Sequence, residues 1–417
     1  MSSLLKSIFL IPGLRSKIIY TLVVLALVRL GSHVPIPGID TNQLNTLFAN
    51  NGLLGLADLF AGKALSNFSV FAMGILPYIN ASIIMQLMTI LMPQLKELAE
   101  EGESGRKKIA QITRYLTIGL AVVQGTAFSI GFSGFLLPGT NFILFVISSA
   151  ITLTAGTCLV MWMGELISER GIGNGASMII FIGIVSSLPS YINQTVTLVK
   201  GGVSLFGVIL LLATLLLVIV AIVFIQEGQR KISVQYAKRI VGQKMYGGQS
   251  TFIPLKINQG GVIPIIFATS VLVFPSTVAR FIPGLGFLSH WLSPGHLVYM
   301  VLFALLIFFF TYFYTAITFN PVELANNIQK YGGFILGIRP GKPTADYLNR
   351  IITRLTFVGA LFLAGVAIVP MFVAQITKIS SFAGLGGTAL LIIVGVAQDF
   401  LKQIKTYMVS YSYDQLN

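Results

Sequence analysis

Charged side chains make up only 10% of the 417 residues, against about 25% in an ordinary soluble domain. A surface in water cannot be covered with so little charge. With 55% hydrophobic residues and a mean hydropathy of +0.86, the soluble, disordered, fibrous and nucleic-acid-binding classes are excluded. Cysteine is almost absent: Cys158 alone, in an apolar stretch, allows no intrachain disulfide framework and no cysteine metal site. The three histidines, His33, His290 and His296, are too scattered for a local metal motif. There is no HExxH. Gly131-Phe132-Ser133-Gly134 looks like a buried-serine protease motif, but no apolar segment supplies a partner histidine. Gly171-Ile172-Gly173-Asn174-Gly175 follows no strand and reads as a tight turn, not a nucleotide loop. No catalytic residue, metal or cofactor is expected, so a driving force must come from a partner or a gradient.

What the sequence has instead is long apolar runs. A helix that crosses a bilayer needs about 20 mostly apolar residues. Ten segments qualify: 18–34, 70–91, 109–132, 142–166, 176–195, 203–225, 261–281, 297–318, 355–376 and 386–405. Exposed irregular backbone is untenable in lipid, which predicts an all-α polytopic membrane protein. The first run carries Arg29 and leads into His33-Val34-Pro35, which reads as a span and not as a cleavable signal. An even number of spans puts both termini on one side. With that side cytoplasmic, 22 of the 27 Lys and Arg fall in cytoplasmic pieces, as the positive-inside rule requires. The formal net charge of +14 then reflects loops beside anionic headgroups and is no argument for DNA binding. Deep within the spans the polar residues are mostly Ser, Thr, Asn and Gln, among them Asn80, Gln86 and Gln124, which gives little support to an acid relay.

Two cytoplasmic connections are long and basic. Residues 226–259 alternate in strand fashion on both flanks of Gly247-Gly248, predicting a protruding hairpin-like arm. Residues 319–354 contain Gly337-Ile338-Arg339-Pro340-Gly341, whose punctuation argues for a folded loop and against a helix. Basic loops can merely fix topology, but two long ones on one face suggest a platform for a large partner. On the other side, residues 53–68 are moderately apolar and too short to span. Lying on the membrane surface and folding back into the protein are both open to this segment.

Gly74-Ile75-Leu76-Pro77-Tyr78-Ile79-Asn80-Ala81-Ser82 and Gly261-Val262-Ile263-Pro264-Ile265-Ile266-Phe267-Ala268-Thr269 share the frame Gly-x-x-Pro-x-Ile-x-Ala-(Ser/Thr), 187 residues apart. Each opens the second span of a five-span half, and the two run in opposite directions. This predicts two inverted halves, 1–200 and 201–417, with a pathway at their interface. Proline and glycine at these starts are expected to let the helices bend. A solute transporter built from inverted repeats is the alternative function.

The chain resembles the SecY family, the central subunit of the bacterial protein-conducting channel. The resemblance rests on Phe71 to Ile79 with Ala81 to Ile84, on Glu101-Gly102-Glu103 before Gly105-Arg106, and on RGIGNG at 170–175. It continues with Gln235-Tyr236-Ala237-Lys238-Arg239, Gly260 to Pro264, Phe319-Asn320-Pro321, GIRPG at 337–341 and Gly386-Gly387-Thr388. Ser233 departs from the family's proline, which leaves the shape of the arm open. The resemblance implies two five-span halves in the bacterial cytoplasmic membrane, both termini cytoplasmic, around an hourglass pore with a lateral gate to lipid. It implies a pore ring of Ile75, Ile79, Ile180, Ile184, Ile266 and Ile392. Stiff β-branched side chains in a narrow apolar ring exclude ions and water by dewetting. It favours the folded-back option for 53–68, as a plug with Leu56, Ala57, Asp58, Leu59, Phe60, Ala61 and Leu65. Gate residues would be Ser82, Gln124 and Thr269. Arg230, Lys231, Lys238, Arg239, Lys244, Arg339 and Lys342 would dock the ribosome or the SecA ATPase. SecE would clamp the halves, SecG would lie at the periphery, and signal peptides, translocating chains and lipids would be the ligands.

Overall fold

The computed structural model describes residues 11–50, 55, 58–201, 204–236, 239–241, 244–246, 250–281, 291–292, 296–377 and 386–414. Among the described residues the fold is carried by the helices α1 (Pro12–Gly31), α2 (Thr41–Asn50), α3 (Leu76–Leu91), α4 (Pro93–Glu100), α5 (Glu103–Gly131), α6 (Phe142–Arg170) and α7 (Gly175–Lys200). After these come α8 (Leu205–Glu227), α9 (Ile263–Phe281), α10 (Leu297–Thr318), α11 (Pro321–Lys330), α12 (Lys342–Thr377) and α13 (Gly387–Asp414). Each of the ten apolar segments read from the sequence overlaps, among the described residues, one of the longer helices, with ends that differ. Among the described residues, α6, α7, α8, α10, α12 and α13 are long and apolar enough to cross a membrane, and the pair α3–α4, bent by 100°, makes a seventh by length and composition. The bend falls at Met92, held extended by the proline that follows it. The most apolar stretch of α8 has a mean hydropathy of 3.5 and is only 17% buried. Its outward Leu205, Phe206, Leu212, Leu216, Leu217 and Phe224 are tolerable only against an apolar medium.

The first five long helices pack as one group and the last five as another. α5 lies along α6, and α3 along α5; α10 lies along α12, and α8 along both α12 and α13. Among the described residues the groups meet where α9 touches α3 and α5, where α13 touches α7, and where Leu14 and Lys17 of α1 meet Ile404 and Tyr407 of α13. One large buried cluster runs through both, from Val24 and Val28 of α1 to Ile392 and Val396 of α13. Backbones approach closely where side chains are missing. A Cβ on Gly387 would lie 1.5 Å from the Val366 carbonyl oxygen, and one on Gly175 would lie 1.8 Å from that of Gly164.

The two arms form a single unit. β1 (Gln229–Tyr236) pairs antiparallel with β4 (Ser250–Lys256), and the short hairpin β2 (Arg239–Val241) with β3 (Lys244–Tyr246) lies between them in sequence. The ladder passes through Ser233↔Phe252 without a break, so the departure from the family's proline leaves an uninterrupted strand. β1 also pairs with β5 (Gly333–Phe334) of the second arm. Ile232, Val234 and Leu255 point to one side and bury against Ile328 of α11 and Leu348, Ile351 and Ile352 of α12. Pro254 sits on the outer strand β4, where its missing donor costs no ladder bond.

Three expectations need correction. The second apolar segment was expected to be helical from residue 70, but residues 70–75 form turns and the helix starts at Leu76. Pro77 and Pro264 were expected to bend their helices. Both occupy the second position of a helix, where the amide has no intrahelical partner to lose. Residues 319–354 were expected to be a loop. Instead Asn320 caps α11 through bonds from the amides of Val322 and Glu323, and α12 begins at Lys342.

Leu255→Ala removes a fully buried side chain from the arm core and should cost about 2–5 kcal/mol of local stability. Trypsin should then cut the arm faster in intact membranes while the helical bundle stays protected. An unchanged digestion pattern would mean that the two arms are not one cooperative unit.

Candidate functional site

The repeated frame builds the same local structure twice. Gly74 and Gly261 have φ of +53° and +59°, a conformation that a Cβ disfavours, and each leads within two residues into a helix with proline second. Ile79 and Ile266, in the same slot of the two frames, are then 6% and 7% exposed. Ile75 lies one turn before Ile79. Ile180 and Ile184 lie one turn apart on α7, and Ile392 is on α13. All six belong to the one large buried cluster, so elements of both helix groups bring them together.

A cavity of about 400 Å³ opens beside this cluster. Ile75, Ile79, Ile180 and Ile266 line it, together with Tyr78, Ser82, Gln86, Asn174 and Ser177. Its rim carries Arg114, whose Nε donates to Glu165 Oε1 at 2.8 Å across α5 and α6. Asn174 accepts from the Ser177 amide and starts α7 there. Since α7 runs away from this end and α8 returns to it, the cavity opens at the end of the bundle that carries the arms. Ile184 and Ile392, both 0% exposed, do not line the cavity and lie deeper.

Behind the cluster lies the segment that precedes α3. Leu59 and Phe60 are buried in the same cluster as the six isoleucines, and Leu65 in an adjoining one with Phe68, Phe132 and Phe145. The segment is thus folded back among the helices and not laid on a surface. Among the described residues it holds one helical turn at Asp58 to Phe60, followed by a run of turns with positive φ at Gly62, Lys63 and Phe68. Asp58 Oδ1 accepts from the amides of Leu65 at 3.0 Å and Ser66 at 2.8 Å, closing the segment on itself. Burial pushes the Asp58 carboxyl above the usual carboxylate range, against those two donors and the charge of Lys63. A void of about 20 Å³, room for a single water, is lined by Arg29, Phe60, Ala61, Gly74, Ile75 and Gly183. Ile75 therefore faces the wide cavity on one side and the folded-back segment on the other. Leu56 and Ala57 lie outside the described residues.

The expected gate residues lie on three helices that touch one another, α3, α5 and α9. Ser82 lines the cavity and accepts from Gln86 Nε2 at 3.2 Å. Gln124 is buried on α5. Thr269 is buried on α9 and donates within its own helix, to the carbonyls of Ile265 and Ile266. Of the basic docking residues, Arg230, Lys231, Arg339 and Lys342 are exposed. Lys231 Nζ stands 4.7 Å over the Phe252 ring, and Arg339 is held between Gly337 and Gly341 by a bond from Thr344 Oγ1 to its carbonyl. Lys238 lies outside the described residues; for Arg239 and Lys244 only the hairpin backbone is described. Sequence reasoning did not find the Arg114–Glu165 pair, which joins residues 51 apart. Nor did it find where Arg29 reaches, although a charge inside an apolar run was the available signal.

The SecY family profile matches residues 69–401. A Synechocystis protein translocase subunit SecY is 46% identical over 417 aligned residues, covering 96% of this chain and 94% of the relative. A solved SecY channel, in which the plug domain stabilises the closed state and maintains a membrane seal, superposes with a TM-score of 0.68 at 20% identity, covering 95% of this chain and 93% of that one. Canine Sec61 from a ribosome–channel complex of the endoplasmic reticulum gives 0.65 at 17%, with the same coverages of 95% and 93%. The two structures carry the fold alone, so the isoleucine cluster needs its own test. Ile392→Asn puts a carboxamide into a packed apolar cluster and should cost that packing about 1–3 kcal/mol. The expected readout is raised resting ion conductance in planar bilayers, with Ile392→Val near silent. A leak no greater than that of the unaltered chain would argue against a sealing role for Ile392.

Proposed function

The chain belongs to the SecY family, and from that premise we propose that it conducts unfolded secretory polypeptides across the bacterial cytoplasmic membrane and releases apolar segments sideways into lipid. The carrying observation is the arrangement around Ile75. Six buried isoleucines from both helix groups converge, with a wide cavity on the arm side and a folded-back segment on the other.

In this reading Ile75, Ile79, Ile180, Ile184, Ile266 and Ile392 form a gasket that yields to a passing chain without binding it, since apolar side chains offer no polar anchor. Residues 53–68 are the plug. The seam where α9 meets α3 and α5 is the lateral gate, with Ser82, Gln124 and Thr269 along it. Ten spans form two inverted halves, 1–200 and 201–417, and both termini are cytoplasmic. The chain does no chemistry of its own. A ribosome or the SecA motor supplies the drive by docking on the joined arms through Arg230, Lys231, Lys238, Arg239, Lys244, Arg339 and Lys342. SecE and SecG complete the channel. Exposed guanidinium and ammonium groups on a rigid sheet suit an acidic or phosphate-bearing surface, and Arg339 stands out because a glycine-flanked turn presents it.

Arg339→Glu reverses that charge without touching the core. Partner-driven uptake of a signal-bearing precursor into vesicles should fall at least tenfold, while insertion and heat stability stay unchanged. Full uptake would sink the docking role. Saturable flux of a small solute, without any partner protein, would favour a transporter in place of the channel.

A further inference from the structure

Arg29 is the one charged side chain inside the apolar run of α1, and its guanidinium is half-buried. It lies in the last turn of the helix, where a cation is favoured by the helix dipole. That alone would leave the side chain free to reach the aqueous edge. Instead Nη1 donates to the Gly62 carbonyl at 2.7 Å, 33 residues along the chain and inside the plug segment. Gly62 is fitted between two walls. With φ at +65°, a Cβ there would stand 2.4 Å from Arg29 Nη1 and 2.8 Å from the Gly183 Cα of α7. Gly183 has no side chain to intrude either: its own Cβ would lie 3.2 Å from the Phe60 carbonyl oxygen. The next residue, Lys63, reaches across to α7 as well and donates from Nζ to Ser190 Oγ.

Resting on the plug reading given above, we infer that Arg29 is the positioning residue that holds the plug down. It presses Gly62 onto Gly183 through one charge-assisted bond, and Lys63–Ser190 is a second tether to the same helix. A charge is kept within an apolar helix because its hydrogen bond is made only while the segment is folded back. Gly183 is adjacent to Ile184, so the plug rests on the very turn of α7 that carries a ring isoleucine. A movement of α7 that widens the ring shifts the surface on which Gly62 sits.

The test uses the full-length chain in its purified channel complex, reconstituted in planar bilayers beside a variant lacking residues 58–66. Arg29→Gln should raise the fraction of time the resting channel conducts by roughly ten- to hundredfold, the range for losing one hydrogen bond to a charged group. Arg29→Lys, which keeps a cationic donor, should recover most of the seal. Lys63→Gln should leak less than Arg29→Gln but above background; it lies in a turn, which keeps the idea testable should Arg29→Gln fail to insert. Bridging Lys63→Cys to Ser190→Cys with a short bismaleimide should reseal the Arg29→Gln channel. A tight Arg29→Gln channel beside a leaking deletion would overturn the role of Arg29 while leaving the plug in place. A leak that survives the bridge would also overturn it, by locating the opening elsewhere. If the deletion itself stays tight, the plug reading fails and the role of Arg29 falls with it.

Discussion

A backbone amide in hydrocarbon has no water to turn to, and that constraint organises the whole molecule. Long helices meet it by themselves. The stretch from Ala61 to Ile75 cannot, because its residues form turns and no helix. It is accommodated by being folded among helices and tied by its own bonds. The Ile36 amide donates to the Phe68 carbonyl at 2.9 Å and the Val70 amide to that of Val34 at 3.0 Å, while Lys63 and Ser69 donate to Asp58 and Ala64. Beyond these internal bonds, the segment is held to neighbouring helices by side-chain bonds such as Arg29 to the Gly62 carbonyl and Lys63 to Ser190.

The second constraint is the cluster of six buried isoleucines, whose side chains have nothing to offer an ion. It is bounded on one side by a cavity with polar walls and a guanidinium–carboxylate pair, and on the other by the folded-back segment before α3. In the proposed reading, this succession of a wide polar space and a narrow apolar one is what a polypeptide crosses and ions do not. The repeated glycine–proline frame places Ile79 and Ile266 at equivalent points of two helices from opposite groups, so the isoleucine cluster draws on both helix groups.

Much of this was legible in the sequence because lipid imposes a simple code. Ten apolar runs gave ten helices, and the period-2 pattern at Ile232-Ser233-Val234 gave a strand with its ladder partner. Elements outside the apolar runs were harder. α12 continues through the polar stretch 342–354, where hydropathy carries no helix signal. α11 had its start marked by Asn320, Pro321 and Glu323, but the weight given to nearby glycine and proline hid it. β5 is two residues long, too short for any pattern, yet it joins the two arms. At the site, residue types were readable and partners were not. Nothing local to Arg29 points to Gly62, and nothing local to Arg114 points to Glu165.

The central claim is that the isoleucine cluster is the path of a polypeptide, and a contact measurement tests it most directly. A photoreactive residue would be placed in turn at Ile79, Ile266 and Ile392, and at the outward Leu216 of α8 as a control, 67% exposed. A secretory precursor would then be stalled in the membrane and irradiated. Adducts at the three cluster positions and none at Leu216 are the predicted result. A precursor shown to be engaged, yet joined to none of the three, would contradict the account.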